Sequence, residues 1–215
     1  MEKENIKKVL EELKKNSKKR KFKQSYDLII NLQGLDLKKP DQHVDFYANL
    51  HYGKGKKLKI CAFVGPEMSE EAKKVCDLTI NVDEFNNLTK QAIKKIAGEH
   101  DYFIAQANIM GKVAAAFGKV LGPRGKMPNP KAGCVFLPKA QLQPLYDKLQ
   151  KTIRVSAKTA LMIQCAIGKD DMKDEEIIDN VMTIYNQLLN SLPNHDNNIK
   201  SVSLKLTMGK PLKVA

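Results

Sequence analysis

The stretch Gly53-Lys54-Gly55-Lys56-Lys57-Leu58-Lys59-Ile60-Cys61-Ala62-Phe63-Val64 separates two textures of sequence. Before it, apolar residues alternate with others: Tyr26, Leu28, Ile30 and Leu32, then Val44, Phe46, Ala48 and Leu50. Period-two alternation marks strands with one covered face, and these two runs are expected to pair with each other. After the glycine-lysine run, residues 58–64 are apolar apart from Lys59, as in a strand buried on both faces. Helical patterns over 69–75, 84–97, 109–121 and 138–151 then alternate with strands over 78–82 and 102–107, the order of a parallel α/β unit.

Beyond Thr152 the period-two texture returns, with Ile153 and Val155, then Leu161, Ile163, Cys165 and Ile167. A helix is expected over 174–192. Its apolar stripe is Ile177, Ile178, Val181, Ile184, Tyr185, Leu188 and Leu189, and Asp174, Glu175 and Glu176 favour its N-terminus. A last strand carries Val202, Leu204, Leu206 and Met208 on one side, with Ser201, Ser203, Lys205 and Thr207 on the other. The first 23 residues begin as a helix through Ile6, Val9, Leu10 and Leu13. Alternation at both ends with α/β texture between them fits either an insertion or two consecutive domains.

The chain has 215 residues, with 37 Lys+Arg against 24 Asp+Glu and a formal net charge of +13. A hydrophobic share of 42% with 28% charged residues is that of a globular chain, not a disordered one. No window suits a membrane span, and the charged start leaves no apolar core for a signal peptide. A cytoplasmic location is therefore expected. The cation surplus favours a polyanion partner through phosphate neutralisation and counterion release. Cys61, Cys76, Cys134 and Cys165 form no C-x-x-C pair, and the four histidines are scattered, so neither a disulfide frame nor a zinc site is expected. No catalytic constellation and no cofactor motif stands out.

Three segments remain as candidates. Residues 121–130, Leu-Gly-Pro-Arg-Gly-Lys-Met-Pro-Asn-Pro, carry Arg124 and Lys126 on a loop stiffened by proline. They fail the Walker pattern, because Val120 stands where its first glycine belongs. The loop is either a rigid connector or an anion contact. Residues 14–23 hold seven cations in ten positions around Phe22, a combination suited either to RNA phosphates and exposed bases or to a solvated face with Phe22 as a core anchor. The face with Ser201, Ser203, Lys205 and Thr207 offers hydroxyls and a cation, suited to ribose and phosphate or simply to water.

Read together, Gly118-Lys119-Val120-Leu121 with the loop at 122–130, Arg20-Lys21-Phe22-Lys23-Gln24-Ser25, and Leu206-Thr207-Met208-Gly209 resemble the motifs of the large-subunit ribosomal protein L-one family. Asp101-Tyr102-Phe103-Ile104-Ala105-Gln106-Ala107 resembles its archaeal branch. The resemblance implies two domains: a discontinuous α+β domain with an antiparallel sheet at 1–54 and 152–215, and an inserted Rossmann-like α/β domain at 55–151. It implies a non-enzymatic constituent of the ribosome that binds large-subunit rRNA in the mobile side stalk. Association with release of deacylated tRNA from the exit site is also implied, as are repression of the protein's own mRNA and a monomeric free state. Carried over by motif, RNA would meet Lys21, Phe22, Ser25, Lys158, Thr159, Ser201, Thr207, Met208 and Gly209, with Arg124 and Lys126 as a secondary contact. The rivals are an RNA-modifying or nucleotide-using enzyme built on the α/β domain and a nonspecific basic nucleic-acid binder, which would need no Met-Gly strand end.

Overall fold

The computed structural model describes residues 2–18, 20–138 and 140–214. Lys19 of the basic run, Lys139, and the end residues of the expected outer domain, Met1 and Ala215, lie outside them. The chain divides into two compact units: Met1–Lys56 with Lys151–Ala215, and Lys57–Gln150. It therefore passes between them twice.

The first unit opens with helix α1 (Lys3–Asn16), whose Ile6, Leu10 and Leu13 are buried at helical spacing. Strand β1 (Ser25–Leu32) buries every second residue, Tyr26, Leu28, Ile30 and Leu32. Strand β2 (Val44–Asn49) follows a single 3-10 turn. The chain returns to this unit with β7 (Thr152–Ala157), β8 (Met162–Lys169), helix α6 (Asp174–Ser191), β9 (Ile199–Leu206) and the short β10 (Leu212–Lys213). The second unit supplies the intervening elements: β3 (Ile60–Val64), α2 (Ser69–Val75), β4 (Leu78–Asn81), α3 (Lys90–Glu99), β5 (Tyr102–Gln106), α4 (Met110–Leu121), β6 (Val135–Phe136) and α5 (Leu142–Lys151).

Among the described residues the strands form three sheets. An antiparallel sheet runs in the order β10-β9-β1-β8, a separate ribbon pairs β2 with β7, and a parallel sheet runs β4-β3-β5-β6. This is the mixed α+β and α/β architecture expected, but the expected pairing of β1 with β2 does not occur. Both edges of β1 are taken, by β8 in the register Ile30↔Ile163 and by β9 in the register Ile30↔Val202. β2 is left to pair with β7, Phe46 opposite Val155. Alternation predicts that a strand has one buried face; it says nothing about its neighbour.

One helix also starts later than its periodicity suggests. Residues 82–87 form 3-10 turns, and α3 begins only after Thr89, whose hydroxyl accepts from the Ala92 N–H at 3.3 Å as an N-cap. The helix expected from 138 starts at Leu142. The two-residue strands β6 and β10 are too short to leave a periodic signal.

Each unit has its own core. In the first, α1 and α6 cover one face of the antiparallel sheet, burying Ile6 and Leu10 with Leu28, Ile30, Val181, Ile184 and Val202. In the second, Phe63 on β3 stacks against Phe103 with centroids 5.8 Å apart and also meets Phe85 and Phe117 at 5.7 and 4.6 Å. β3 is buried at all five positions, which matches a central parallel strand covered on both faces. Because the cores share no residue, they are expected to respond separately. Ile30→Ala should cost about 2–5 kcal/mol in the unfolding of the first unit, and Phe63→Ala about 3–5 kcal/mol in that of the second. Hydrogen exchange resolved by residue checks this. Loss of protection spread equally over both units by either change would contradict it.

Candidate nucleic-acid interface

The sequence motifs at the two chain ends meet at one end of the antiparallel sheet. Just past β9, Thr207 faces the first residue of β1. Its N–H donates to the Ser25 carbonyl at 3.0 Å, and its hydroxyl oxygen accepts from the Ser25 N–H at 2.9 Å. Gly209 then closes the turn by donating to the Leu206 carbonyl at 2.8 Å. Gln24, part of the first motif but not one of the expected RNA contacts, holds this corner. Only 4% exposed, it donates from Nε2 to Ser17 Oγ at 2.9 Å and accepts at Oε1 from the Met208 N–H at 3.2 Å. Its own backbone exchanges bonds with Asp170, the N–H donating to Oδ2 and the carbonyl accepting from the Asp170 N–H. One buried amide thus ties the end of α1, the start of β1 and the turn after β9. The periodic signal that exposed β1 says nothing of Gln24, because its role lies in long-range hydrogen bonds.

Around this corner the side chains point out. Phe22 is 52% exposed and Met208 61%, large apolar surfaces on a rigid support. Lys21 is exposed, and among the described residues neither it nor Lys18 and Arg20 carries an ion pair. Lys23 is tied to Asp171 at 2.6 Å, and Lys14 to Asp174. The Lys23 hydrogen bond holds the Asp171 carboxyl below its ordinary value and raises the lysine's own. The basic run is therefore divided between internal pairing and open cations.

Ser201 lies at the opposite end of the sheet. Its hydroxyl accepts from Asn31 Nδ2 at 2.9 Å, across the β1–β9 pair. Asn31 is six residue steps along β1 from Ser25, about 20 Å at a strand's rise per residue. The connection carrying Lys158 and Thr159, both exposed, leads into β8 beside this end, since the Leu32 N–H donates to the Leu161 carbonyl at 2.8 Å. Lys158 is engaged with Asp45 at 2.6 Å, and Arg154 reaches the same carboxylate through Nε and Nη2 at 3.0 and 3.3 Å. Burial alone would raise the Asp45 carboxyl, but hydrogen bonds from both cations hold it below the ordinary value. Between the two ends runs the open sheet face, with Asp27, Ile29 and Asn31 on β1, Ser203 and Lys205 on β9, and Gln164 on β8. Burial raises the Asp27 carboxyl, against the pull of Lys205.

Arg124 and Lys126 belong to the other unit, and the structure gives both a partner there. Lys126 Nζ donates to the Ala97 and His100 carbonyls at 2.8 and 2.7 Å, capping the C-terminus of α3. Arg124 reaches the Lys94 carbonyl at 3.3 Å. The glycines of the loop are structural too: a Cβ at Gly122 would stand 2.6 Å from the Gly118 carbonyl oxygen, and Gly125 has a left-handed φ of 64°.

Among the described residues no cluster of His, Cys, Asp or Glu is arranged to hold a metal ion. All four cysteines are free thiols. Burial pushes Cys76 and Cys134 up to about 11 and Cys165 up to about 12, with Cys61 also raised, so all stay protonated and poorly nucleophilic at neutral pH. Among the described residues no helix is long and apolar enough to cross a membrane.

Residues 13–210 match the model of the Ribosomal protein L1p/L10e family. The chain is 41% identical over 204 residues to the large ribosomal subunit protein uL1 of Nanoarchaeum equitans, covering 93% of this chain and 95% of that protein. It is 38% identical over 216 residues to the uL1 of Methanothermococcus thermolithotrophicus, covering 100% and 99%. To the uL1 of Archaeoglobus fulgidus it is 34% identical over 217 residues, with the same coverage.

The contacts of Lys126 are charge-assisted and half-buried. Lys126→Ala should therefore destabilise the second unit by about 1.5–3 kcal/mol, whereas exposed Arg124→Ala should stay within about 0.5 kcal/mol. Denaturant melts of the two variants check the order. Equal, negligible losses would remove the capping role.

Proposed function

The chain belongs to the ribosomal protein L1p/L10e family and is a structural constituent of the large ribosomal subunit, and from that premise we propose that it acts there by binding large-subunit rRNA through its first unit. The surface runs from Lys21, Phe22, Ser25, Thr207, Met208 and Gly209 across the open sheet face to Ser201, with Lys158 and Thr159 beside it. Arg124 and Lys126 make at most a secondary contact, and the capping bonds of Lys126 limit its part in one.

The observation that carries this reading is the corner itself. Phe22 and Met208 are two of the few large apolar side chains left exposed, and they flank a backbone clamped by Gln24 and Thr207. Burying such side chains against bases and riboses gains apolar contact without ordering the protein first. Gly209 fits the same role. A Cβ there would meet Leu206 only at an ordinary 3.4 Å, so the fold does not demand glycine. A partner approaching the backbone closely would. The open cations at 18–21 supply attraction that is independent of sequence.

On this reading the protein sits in the mobile side stalk, takes part in movement and release of deacylated tRNA at the exit site, and is monomeric in the cytoplasm when off the ribosome. It represses translation of its own mRNA by binding a segment that mimics the rRNA site. A preformed RNA surface supports these roles, because one recognition face can serve rRNA and a mimic alike.

Binding to a side-stalk rRNA fragment, compared with a scrambled RNA of equal length, tests the proposal. A preference of at least 100-fold is expected, and Met208→Ala or Thr207→Val should reduce affinity for the fragment by about 1–3 kcal/mol. Equal affinity for both RNAs would sink the reading.

A further inference from the structure

Beside the exposed corner, between the end of α1 and the turn after β9, lies a cleft. It has a volume of about 360 Å³ and is walled by Leu13, Leu206, Leu212 and Met208. Leu13 and Leu206 are part of the packed core, so their part of this apolar wall is fixed. Asn16 and Ser17, at the end of α1, and Gln24 line its polar side. Lys18, Arg20 and Lys210 stand around it, exposed and, among the described residues, without an ion pair.

We propose that this cleft receives a single unpaired nucleotide of the bound RNA, its base turned out of the stack. The proposal rests on the rRNA-binding function above and adds to it a pocket distinct from the exposed Phe22 and the sheet face. Four features converge on this occupant. The volume lies at the small end of ligand clefts, the size class of one nucleoside rather than of a helix or a peptide. The leucine and methionine side chains offer the base faces apolar contact. The exposed Asn16 amide presents both a donor and an acceptor, and the Ser17 hydroxyl, which accepts from Gln24, keeps its proton to donate to a base edge. Three cations at the mouth complement the phosphates on either side of an extruded nucleotide, and the described cleft lining contains no carboxylate to oppose them.

The cleft is also preformed. Gln24 fixes Ser17 on one side and the Met208 backbone on the other, so its two walls are held by one buried amide. A ligand entering it does not have to order them. This places selection at a nucleotide that duplex RNA cannot supply, which separates a folded rRNA site from any helix of similar charge.

The test is a double-mutant cycle between protein and RNA. Asn16→Trp places an indole at the cleft mouth from an exposed helix end, and Lys210→Ala removes a mouth cation without touching the core. In the side-stalk fragment, each unpaired nucleotide is replaced in turn by an abasic residue. Asn16→Trp is expected to weaken binding of the intact fragment about tenfold or more, and Lys210→Ala to weaken it by a smaller factor. One abasic position should weaken wild-type binding comparably, and against that RNA Asn16→Trp should cost nothing further. The inference is overturned if Asn16→Trp, with an unchanged melting temperature, binds the fragment like wild type, or if its loss adds in full to that of every abasic position. Both results leave the preference for stalk over scrambled RNA intact, whereas loss of that preference in the wild type would overturn the function proposed above as well.

Discussion

Strand β1 can complete its hydrogen bonding only with strands made more than a hundred residues later. Its partners β8 and β9 come from the far end of the chain, and everything placed on the first unit depends on that closure. The central strand carries Tyr26, Leu28 and Ile30 into the core, and none can be buried until the last third of the chain has docked. The same closure brings Ser25 against Thr207 and Gln24 against Met208. Neither chain end holds the corner alone. A surface assembled from residues of both chain ends needs a sheet of this order, and the inserted unit interrupts it only in sequence.

Charge and recognition separate within this arrangement. The net charge of +13 suggests a polyanion, yet part of the basic run is held internally, Lys14 by Asp174 and Lys23 by Asp171. Lys158 shares Asp45 with Arg154, and Lys126 caps a helix. What stays open beside the corner is a small group of cations around an apolar, rigid surface. Cations attract any RNA, so they raise affinity and encounter rate more than they discriminate. On the function proposed above, shape and apolar contact at Phe22, Met208 and the neighbouring cleft are the terms that distinguish one RNA from another.

Much of this fold is legible in the chain. Tyr26 to Leu32 and Ile199 to Leu206 alternate because one face of their sheet is covered, and residues 60–64 run apolar because a parallel strand is covered twice. What periodicity cannot carry is partnership. It leaves β2 equally suited to β1 or β7, and the choice is made by which edges remain free. The helix start at 90 was missed because Thr89 acts through a single hydroxyl cap, invisible to a count of apolar positions. The candidate site was legible through its motifs, which name Phe22, Thr207, Met208 and Gly209. Gln24 and the cleft stayed hidden, because their roles lie in hydrogen bonds and walls assembled from residues 13 to 212. Arg124 and Lys126 show the converse: a motif can be vivid for structural reasons, here the capping of α3 and a glycine that meets a carbonyl.

The central claim is that a preformed, largely uncharged surface selects the RNA while cations only recruit it. The salt dependence of binding tests it most directly, with affinity for the side-stalk fragment followed across a salt series for wild type and Met208→Ala. The expected result is a shallow log–log slope, reflecting a few phosphate contacts, that is the same in both proteins while the affinity of the variant is lower at every salt concentration. A steep slope that accounts for nearly all of the affinity, with Met208→Ala superimposed on wild type, would contradict the account.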